Sequence, residues 1–247
     1  MKCFPAILPF VLAWGFFGFA SPAPPQKPAD PGNLDAVLKK MDAAAASFRN
    51  AQAEFEWDSY EKVIDEVDDV ESGMIYYRRA GQDTEMMAEV KKAGASAAEM
   101  KPGAKYVLFS GGKISMYQPK LDQLTEYDLG KNKTDFESYL VLGFGGSGQD
   151  LTRAFDVTYL GPETINGVTT AKLQLVPKSQ RVRSNFKQIL LWIDLDKGIA
   201  AQQQFFDPQD DYHLARYSSI RVNEKRIPDE VFKLKTTSKT QTISPRG

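Results

Sequence analysis

Cysteine and histidine are almost absent from this 247-residue chain, and each scarcity removes a class of chemistry. Cys3 is the only cysteine, and it precedes an apolar run. A lipid-modified cysteine would follow such a run, so Cys3 does not mark a bacterial lipoprotein. Once the leader is removed no thiol remains, which excludes disulfides, thiol catalysis and cysteine-based metal sites. His213 is the only histidine. A transition-metal site lacks its usual donors, and general-base work needs a positioned partner, which Asp210 and Asp211 offer only by sequence proximity. Neither metal nor cofactor is predicted, and no enzyme activity. Charge of one sign is missing too: 31 basic residues stand against 32 acidic ones, giving a net −1 and no reason to expect nucleic acid. There is no G-K-[ST] phosphate loop and no alternation of strand and helix, so a parallel sheet is not predicted.

What is present begins with an export signal. MKCFPAILPFVLAWGFFGFA carries one lysine, an apolar run from Phe4 to Ala20, then SPAPP. That order of charged start, apolar core and small-residue exit is a secretory signal, cleaved after Ala20 or Ala23. An uncleaved anchor is the rival reading. Removing residues 1–23 takes away Lys2 and no other charge, moving the net charge from −1 to −2. Residues 24–33 read as a proline-rich linker, and 34–247 as a single domain.

LDAVLKKMDAAAASF sets Leu34, Val37, Leu38, Met41, Ala45 and Phe48 on one helical stripe, with Asn33 as N-cap. From residue 51 the period becomes two, with Ala51, Ala53, Phe55 and Trp57 set against Gln52, Glu54, Glu56 and Asp58. Strands follow at GMIYYRR, TEMMAEVKK, a hairpin around Gly111-Gly112, and LTEYDL. TDFESYLVLGFGGSGQDLTRAF reads as two short helices, carrying Phe136, Tyr139 and Leu140, then Leu151, Ala154 and Phe155. FDVTYLG and TTAKLQLVP flank an Asn166-Gly167 turn. QILLWIDLDKGIAAQQQFFD is another hairpin, followed by strands at YHLARYSSIRVN and RIPDEVFKL. The fold class is α+β, mainly β: about ten or eleven antiparallel strands in a strongly curved half-barrel, with the N-terminal helix and short helices over the concave face.

Several motifs invite chemistry. GFGGSG is a literal G-x-G-x-x-G, but a dinucleotide site needs a strand before it and a βαβ unit around it. It reads instead as a flexible joint between helices. The acidic run DEVDDVE (65–71) and the turn DPQDD (207–211) lack EF-hand spacing and read as solvated loops. Lys178, Arg181, Arg183 and Lys187 surround a hairpin loop that is either solvated or a docking patch. One hairpin half poses a question: Ile189, Leu191 and Ile193 supply one oily face, Leu190 and Trp192 a second, where an antiparallel sheet needs only one. The partner half is diluted by Gln202, Gln203 and Gln204. Large or pliable groups are abundant for a sheet protein, including Tyr117, Phe205 and Phe206. A lipid cavity is predicted from Phe55, Trp57, Met74, Tyr76, Met86, Met116, Phe136, Leu140, Phe155, Leu190 and Trp192, since methionine and aromatics adapt to irregular apolar ligands. Core filling is the alternative for any one of them. In each strand either parity can face the ligand: within 188–194, either Leu190 and Trp192 or their neighbours of opposite parity do so.

The order of these segments resembles the outer-membrane lipoprotein carrier family of the bacterial periplasm (LolA-like). The helix leading into AQAEFEWDS, the Gly-led strand GMIYYRR, KYVLFSGGKISMYQPKLDQLTEYDL, LWIDLDKGIAAQQQFFDPQDD and IPDEVFKL carry the likeness over residues 34–243. The resemblance implies an unclosed half-barrel lidded by helices, whose cavity receives acyl chains. It also implies a monomer in the periplasm, loaded by an inner-membrane lipoprotein-releasing ABC transporter and unloaded by an outer-membrane acceptor. It implies that Arg79, at the end of the second strand, latches the lid's backbone, although Ala80 stands where the family commonly has proline. The segment AEVKKAGASAAEMKPGAK is longer than the family's and reads as a mobile hairpin end. Envelope-stress regulators share this fold and bind a membrane-anchored partner, with an added C-terminal domain. The chain's end at Gly247 favours the carrier.

Overall fold

The computed structural model describes residues 31–80, 83–130 and 142–245. Helix α1 (Pro31–Ser47) leads into six strands: β1 (Asn50–Glu61), β2 (Glu66–Ala80), β3 (Asp83–Gly94), β4 (Lys101–Ser110), β5 (Lys113–Gln118) and β6 (Gln123–Asp128). After α2 (Gly148–Ala154) come β7 (Phe155–Ile165), β8 (Val168–Pro177), the one-turn α3 (Gln180–Arg183), β9 (Gln188–Asp194), β10 (Ile199–Phe206) and β11 (Tyr212–Val222). A 3₁₀ turn (Asp229–Phe232) and β12 (Gln241–Ile243) close the chain. All twelve strands form one open sheet in the order β12-β6-β5-β4-β3-β2-β1-β11-β10-β9-β8-β7. Neighbours pair antiparallel except β12, which runs parallel to β6.

The curvature has local causes. Register shifts interrupt the ladders at Gln52/Glu54, Ser72/Gly73, Val90/Lys92, Tyr159/Gly161 and Ala200/Gln202. Each bulge bends its strand and adds twist, so the sheet curls without closing. At Gly73 a Cβ would stand 1.9 Å from the Glu89 carbonyl oxygen, so only glycine admits that close approach of β3. The hairpins use the expected chemistry: Asn166 and Gly167 both take positive φ (48° and 80°), matching a type I′ turn.

Strand parity decides what faces inward. Ala51, Ala53, Phe55, Ile75, Tyr77, Met86, Ala88, Phe109, Ala215 and Tyr217 form one buried cluster with Phe48 at the end of α1. Leu173, Leu175, Ile189, Leu191 and Ile193 form another with Val37 and Met41 of the same helix. One helix thus roofs both halves of the concave face. A third cluster lies on the outer face, where Ile227 and Phe232 cover Met87 beside Tyr76, Tyr106 and Leu108.

Several sequence expectations change here. Helix α1 starts at Pro31 rather than 34, because proline's fixed φ suits the first helical turn; Asn33 therefore lies inside the helix instead of capping it. RIPDEVFKL is no strand but holds the 3₁₀ turn, its apolar residues covering the outer face. The twelfth strand is Gln241–Ile243. Residues 66–71 of the acidic run belong to β2. Most of AEVKKAGASAAEMKPGAK continues β3 and β4 as an ordinary hairpin, turned where the Glu99 amide donates to the Ser96 carbonyl at 3.0 Å. Phe155 both caps the C-terminus of α2, its amide donating to the Leu151 carbonyl, and opens β7. The leader, most of the linker and the first short helix lie outside the described residues.

Candidate functional site

The lid over the concave face is built from α1, the loop 142–147 and α2. Its glycines are fitted, so GFGGSG is a packed joint and not a loose one. Gly143 and Gly145 have φ of 74° and 87°, where L side chains are strained. A Cβ on them would meet the Ala200 Cβ at 2.3 Å and the Phe48 ring at 2.5 Å. On Gly148 it would meet the Leu38 carbonyl oxygen of α1 at 2.7 Å. Ser147 caps α2 by accepting from the Asp150 amide at 3.0 Å. The Gln149 amide donates to Asp42 of α1 at 3.2 Å, tying the two lid helices together.

Several residues of the sheet and its ends hold this lid by its backbone. The Ala200 amide donates to the Gly143 carbonyl at 2.8 Å and the Asn223 side chain to the Ser47 carbonyl at 2.9 Å, and Arg79 and Gln203 add side-chain bonds. Arg79 Nη2 donates to the Ala45 carbonyl in the last turn of α1 and to the Gly145 carbonyl, both at 3.2 Å. Gln203 Nε2 donates to the Leu142 carbonyl, while its Oε1 accepts from the Tyr217 hydroxyl at 2.9 Å. The bulge at Ala200/Gln202 turns Gln203 inward and leaves Gln202 and Gln204 outside. That explains one polar residue of the diluted strand.

Beneath the lid the hollow is partly filled by the chain itself. Phe144 drops from the loop, stacks on Tyr77 with centroids 4.3 Å apart, and meets Tyr217 edge-on at 4.8 Å. Burial pushes the phenols of Tyr77 and Tyr217 well above their ordinary range, so both stay neutral. The α2 side is closed by Leu173, Leu175, Ile189 and Leu191, all without exposed surface. Open space persists on the other side as a pocket of about 440 Å³. Trp57, Ile75, Met86, Phe205 and Ala215 supply its apolar walls; Ser59, Asp69, Glu71, Lys105 and His213 are its charged and polar members.

The predicted cavity residues divide accordingly. Trp57 and Met86 line this pocket. Phe55 is buried beside it, stacked on Trp57 at 4.1 Å. Met116 shares the concave register, opposite Val107, outside the pocket lining. Phe155 is buried with Leu151 under the lid. Met74, Tyr76, Leu190 and Trp192 have the opposite parity and face outward, contrary to expectation. Tyr76 lies under the C-terminal segment, and Met74 lines an outer groove with Glu54 and Glu56. Leu190 pairs with Gln174 and Gln204. Trp192, 3% exposed, is covered by Lys172, whose Nζ sits 4.7 Å from the ring centroid. Its indole N–H lies near the Glu163 carboxylate without reaching hydrogen-bond geometry. The second oily face of β9 is thus an outer face capped by β7 and β8, not a cavity wall. Phe136 and Leu140 lie outside the described residues. Ile75, Tyr77, Phe144, Gln203, Ala215 and Tyr217 were missed, although the parity of Phe55 and Trp57, carried across the hairpin to β2, points to Ile75 and Tyr77.

The other candidates have local partners. Ser59 Oγ and His213 Nδ1 lie 3.0 Å apart, and among the described residues no carboxylate is bonded to that ring. Lys178 donates to the Thr152 carbonyl at 2.6 Å, Arg183 to the Pro177 carbonyl at 2.6 Å, and Lys187 pairs with Asp210 at 2.5 Å. Among the described residues no cluster of His, Cys, Asp and Glu could hold a metal, and no helix is long and apolar enough to cross a membrane.

No model of a known protein family and no curated protein matches the sequence. Solved structures do match in shape. An uncharacterized conserved protein from Thermus thermophilus has a TM-score of 0.51 at 10% identity, over 86% of this chain and 99% of that one. MucB has a TM-score of 0.50 at 10% identity over 85% of this chain, which spans 65% of MucB's length. A LolA superfamily protein from Nitrosomonas europaea has a TM-score of 0.39 at 14% identity, over 81% of this chain and 97% of that one. Identities this low speak to fold alone: the architecture is the open, helix-roofed sheet that the LolA-like resemblance implied, and the chain shares its fold with MucB and the Thermus protein.

Proposed function

We propose that this chain is a periplasmic carrier that shelters lipoprotein acyl chains, or another lipid, under its lid and moves them from the inner toward the outer membrane without transforming them. The observation that supports it is the pocket between Trp57, Met86 and Phe205, open on the concave face beside the lid loop, whose Phe144 stacks on the pocket residue Tyr77. An acyl chain loses roughly 0.8 kcal/mol of favourable transfer per methylene when returned to water. A soluble shuttle must therefore offer apolar wall and few directional contacts. The inner-membrane exporter and outer-membrane acceptor belong to this reading as partners, and Arg79 as the lid latch.

Binding of a fluorescent fatty acid tests it. The native protein should bind the probe, and Ala215→Phe, which puts a ring into the pocket, should weaken binding about tenfold or more through lost contact area. A protein that keeps a lipid-free mass from the periplasm and ignores the probe is not a carrier. That result would favour the second reading, a regulatory module that binds a membrane-anchored protein. The likeness of fold to MucB supports this alternative.

A further inference from the structure

We propose that the cleft beside Arg79 binds a phosphate ester, and that the bound phosphate draws Arg79 off the lid. The cleft has a volume of about 610 Å³ and lies where β1 begins and β2 and β11 end. Five cations line it (Arg49, Arg78, Arg79, Lys225 and Arg226) against two carboxylates, Glu224 and Asp229.

The five are not equally engaged. Arg78 is saturated: Nε donates to Glu85 at 2.6 Å, Nη1 donates to Asp229, and the guanidinium lies 4.1 Å from the Phe232 ring centroid. Arg226 shares Asp229 at 2.9 Å. Among the described residues Arg49 and Lys225 make no ion pair, and the Arg79 side chain bonds only the two neutral lid carbonyls. Arg49 and Arg79 are held side by side, because the Arg79 amide donates to the Arg49 carbonyl at 2.9 Å. The Arg49 amide in turn donates to the Asn223 side-chain oxygen at 2.7 Å, which fixes this corner to the end of β11. Among the described residues three cations without an ion pair thus line one concavity, two of them, Arg49 and Arg79, on bonded backbone.

Convergent cations of this kind suit an anion with several acceptor oxygens, and a phosphate ester presents two or three on one centre. Competition for Arg79 then favours the anion. Its contacts to neutral carbonyls are long, whereas charge-assisted bonds to phosphate are shorter and roughly twice as strong. Moving Nη2 to phosphate removes both of its bonds to the lid at once, so an anion at the rim and a closed lid compete for one side chain. The proposal rests on this cleft and not on the acyl pocket, which lies toward the other end of β1.

Calorimetry and amide exchange test it with three probes: inorganic phosphate, glycerol 3-phosphate and dihexanoyl phosphatidylglycerol, each at matched ionic strength in chloride. At least one should bind and speed exchange at residues 45–48 and 142–146. The double variant Arg49→Gln/Lys225→Gln, which touches no lid atom, should melt like the native protein and bind about tenfold more weakly. A headgroup source gives phosphatidylglycerol the higher affinity. A free-phosphate source gives equal affinities for all three. No binding by any probe, undiminished binding by the double variant, or unchanged lid exchange in the saturated protein overturns the proposal. Glycerol 3-phosphate has no acyl chain, so its result is independent of fatty-acid binding, and the two readings fail separately.

Discussion

The ring of Phe144, from the lid loop, stacks on Tyr77, from β2, with 14° between their planes. If the pocket between Trp57 and Met86 takes an acyl tail, as proposed, Phe144 stands between that tail and the packed region under α1. On that reading Phe144 is a plug whose displacement is coupled to loading. Replacing it with alanine should cost about 3–5 kcal/mol of stability, the usual range for a buried phenylalanine. It should also lengthen the hollow and raise affinity for long-chain over short-chain fatty acids. Urea denaturation with a chain-length binding series checks both. Equal affinity gains at all chain lengths would remove Phe144 from the path of the tail.

Arg79 supplies the second lid contact that a substitution can isolate. Arg79→Leu removes both carbonyl bonds and should lower stability by only about 1 kcal/mol, since the residue is exposed and both bonds are long. The larger effect should appear in amide exchange at 45–48 and 142–146, and in faster release of bound lipid. Transfer between two membranes at the native rate would discard the latch.

Gly145 offers a test of the fitted joint. Alanine there must hold a φ of 87° and place its Cβ 2.5 Å from the Phe48 ring. Strain and overpacking together should cost about 1–3 kcal/mol. A thermal melt detects this, and a melting temperature unchanged from the native protein would show that the loop yields.

Much of this was legible because periodicity is a local property. The helical stripe of Val37, Met41 and Phe48, and the alternation through Phe55 and Trp57, marked the apolar faces, and the structure adds that these are the inward ones. What failed depended on partners distant in sequence. Trp192 reads as a cavity wall until Lys172 and Glu163 fold over it, and nothing in QILLWID announces that cover. Gln203 reads as dilution until a bulge at Ala201 turns it toward Leu142 and Tyr217. RIPDEVFKL reads as a closing strand, yet its proline and its role as a cover on the outer face keep it out of the ladder. Parity errors and tertiary caps are two forms of the same loss of information.

The C-terminal segment gives a pH prediction. Asp122 accepts from the hydroxyls of Thr240 at 2.6 Å and Thr237 at 2.7 Å, while its carbonyl accepts from the Gln241 amide at 2.9 Å. Those hydroxyls, Thr240 first, hold the Asp122 carboxyl below its ordinary value of 3.8. A carboxyl depressed in the folded state contributes stability that is complete above its unfolded value and is lost as pH falls through the folded one. The anchoring of β12 to β6 should therefore be full above about pH 5 and fade only in stronger acid. Amide exchange at 241–243, corrected for its intrinsic pH dependence, should show β12 loosening in that acidic window while β1 and β2 stay protected. Asp122→Asn keeps the carbonyl acceptor but has no charge to lose, so its β12 should be weaker at neutral pH and insensitive to acid. A native-like acid profile in that variant would assign the loosening to another group.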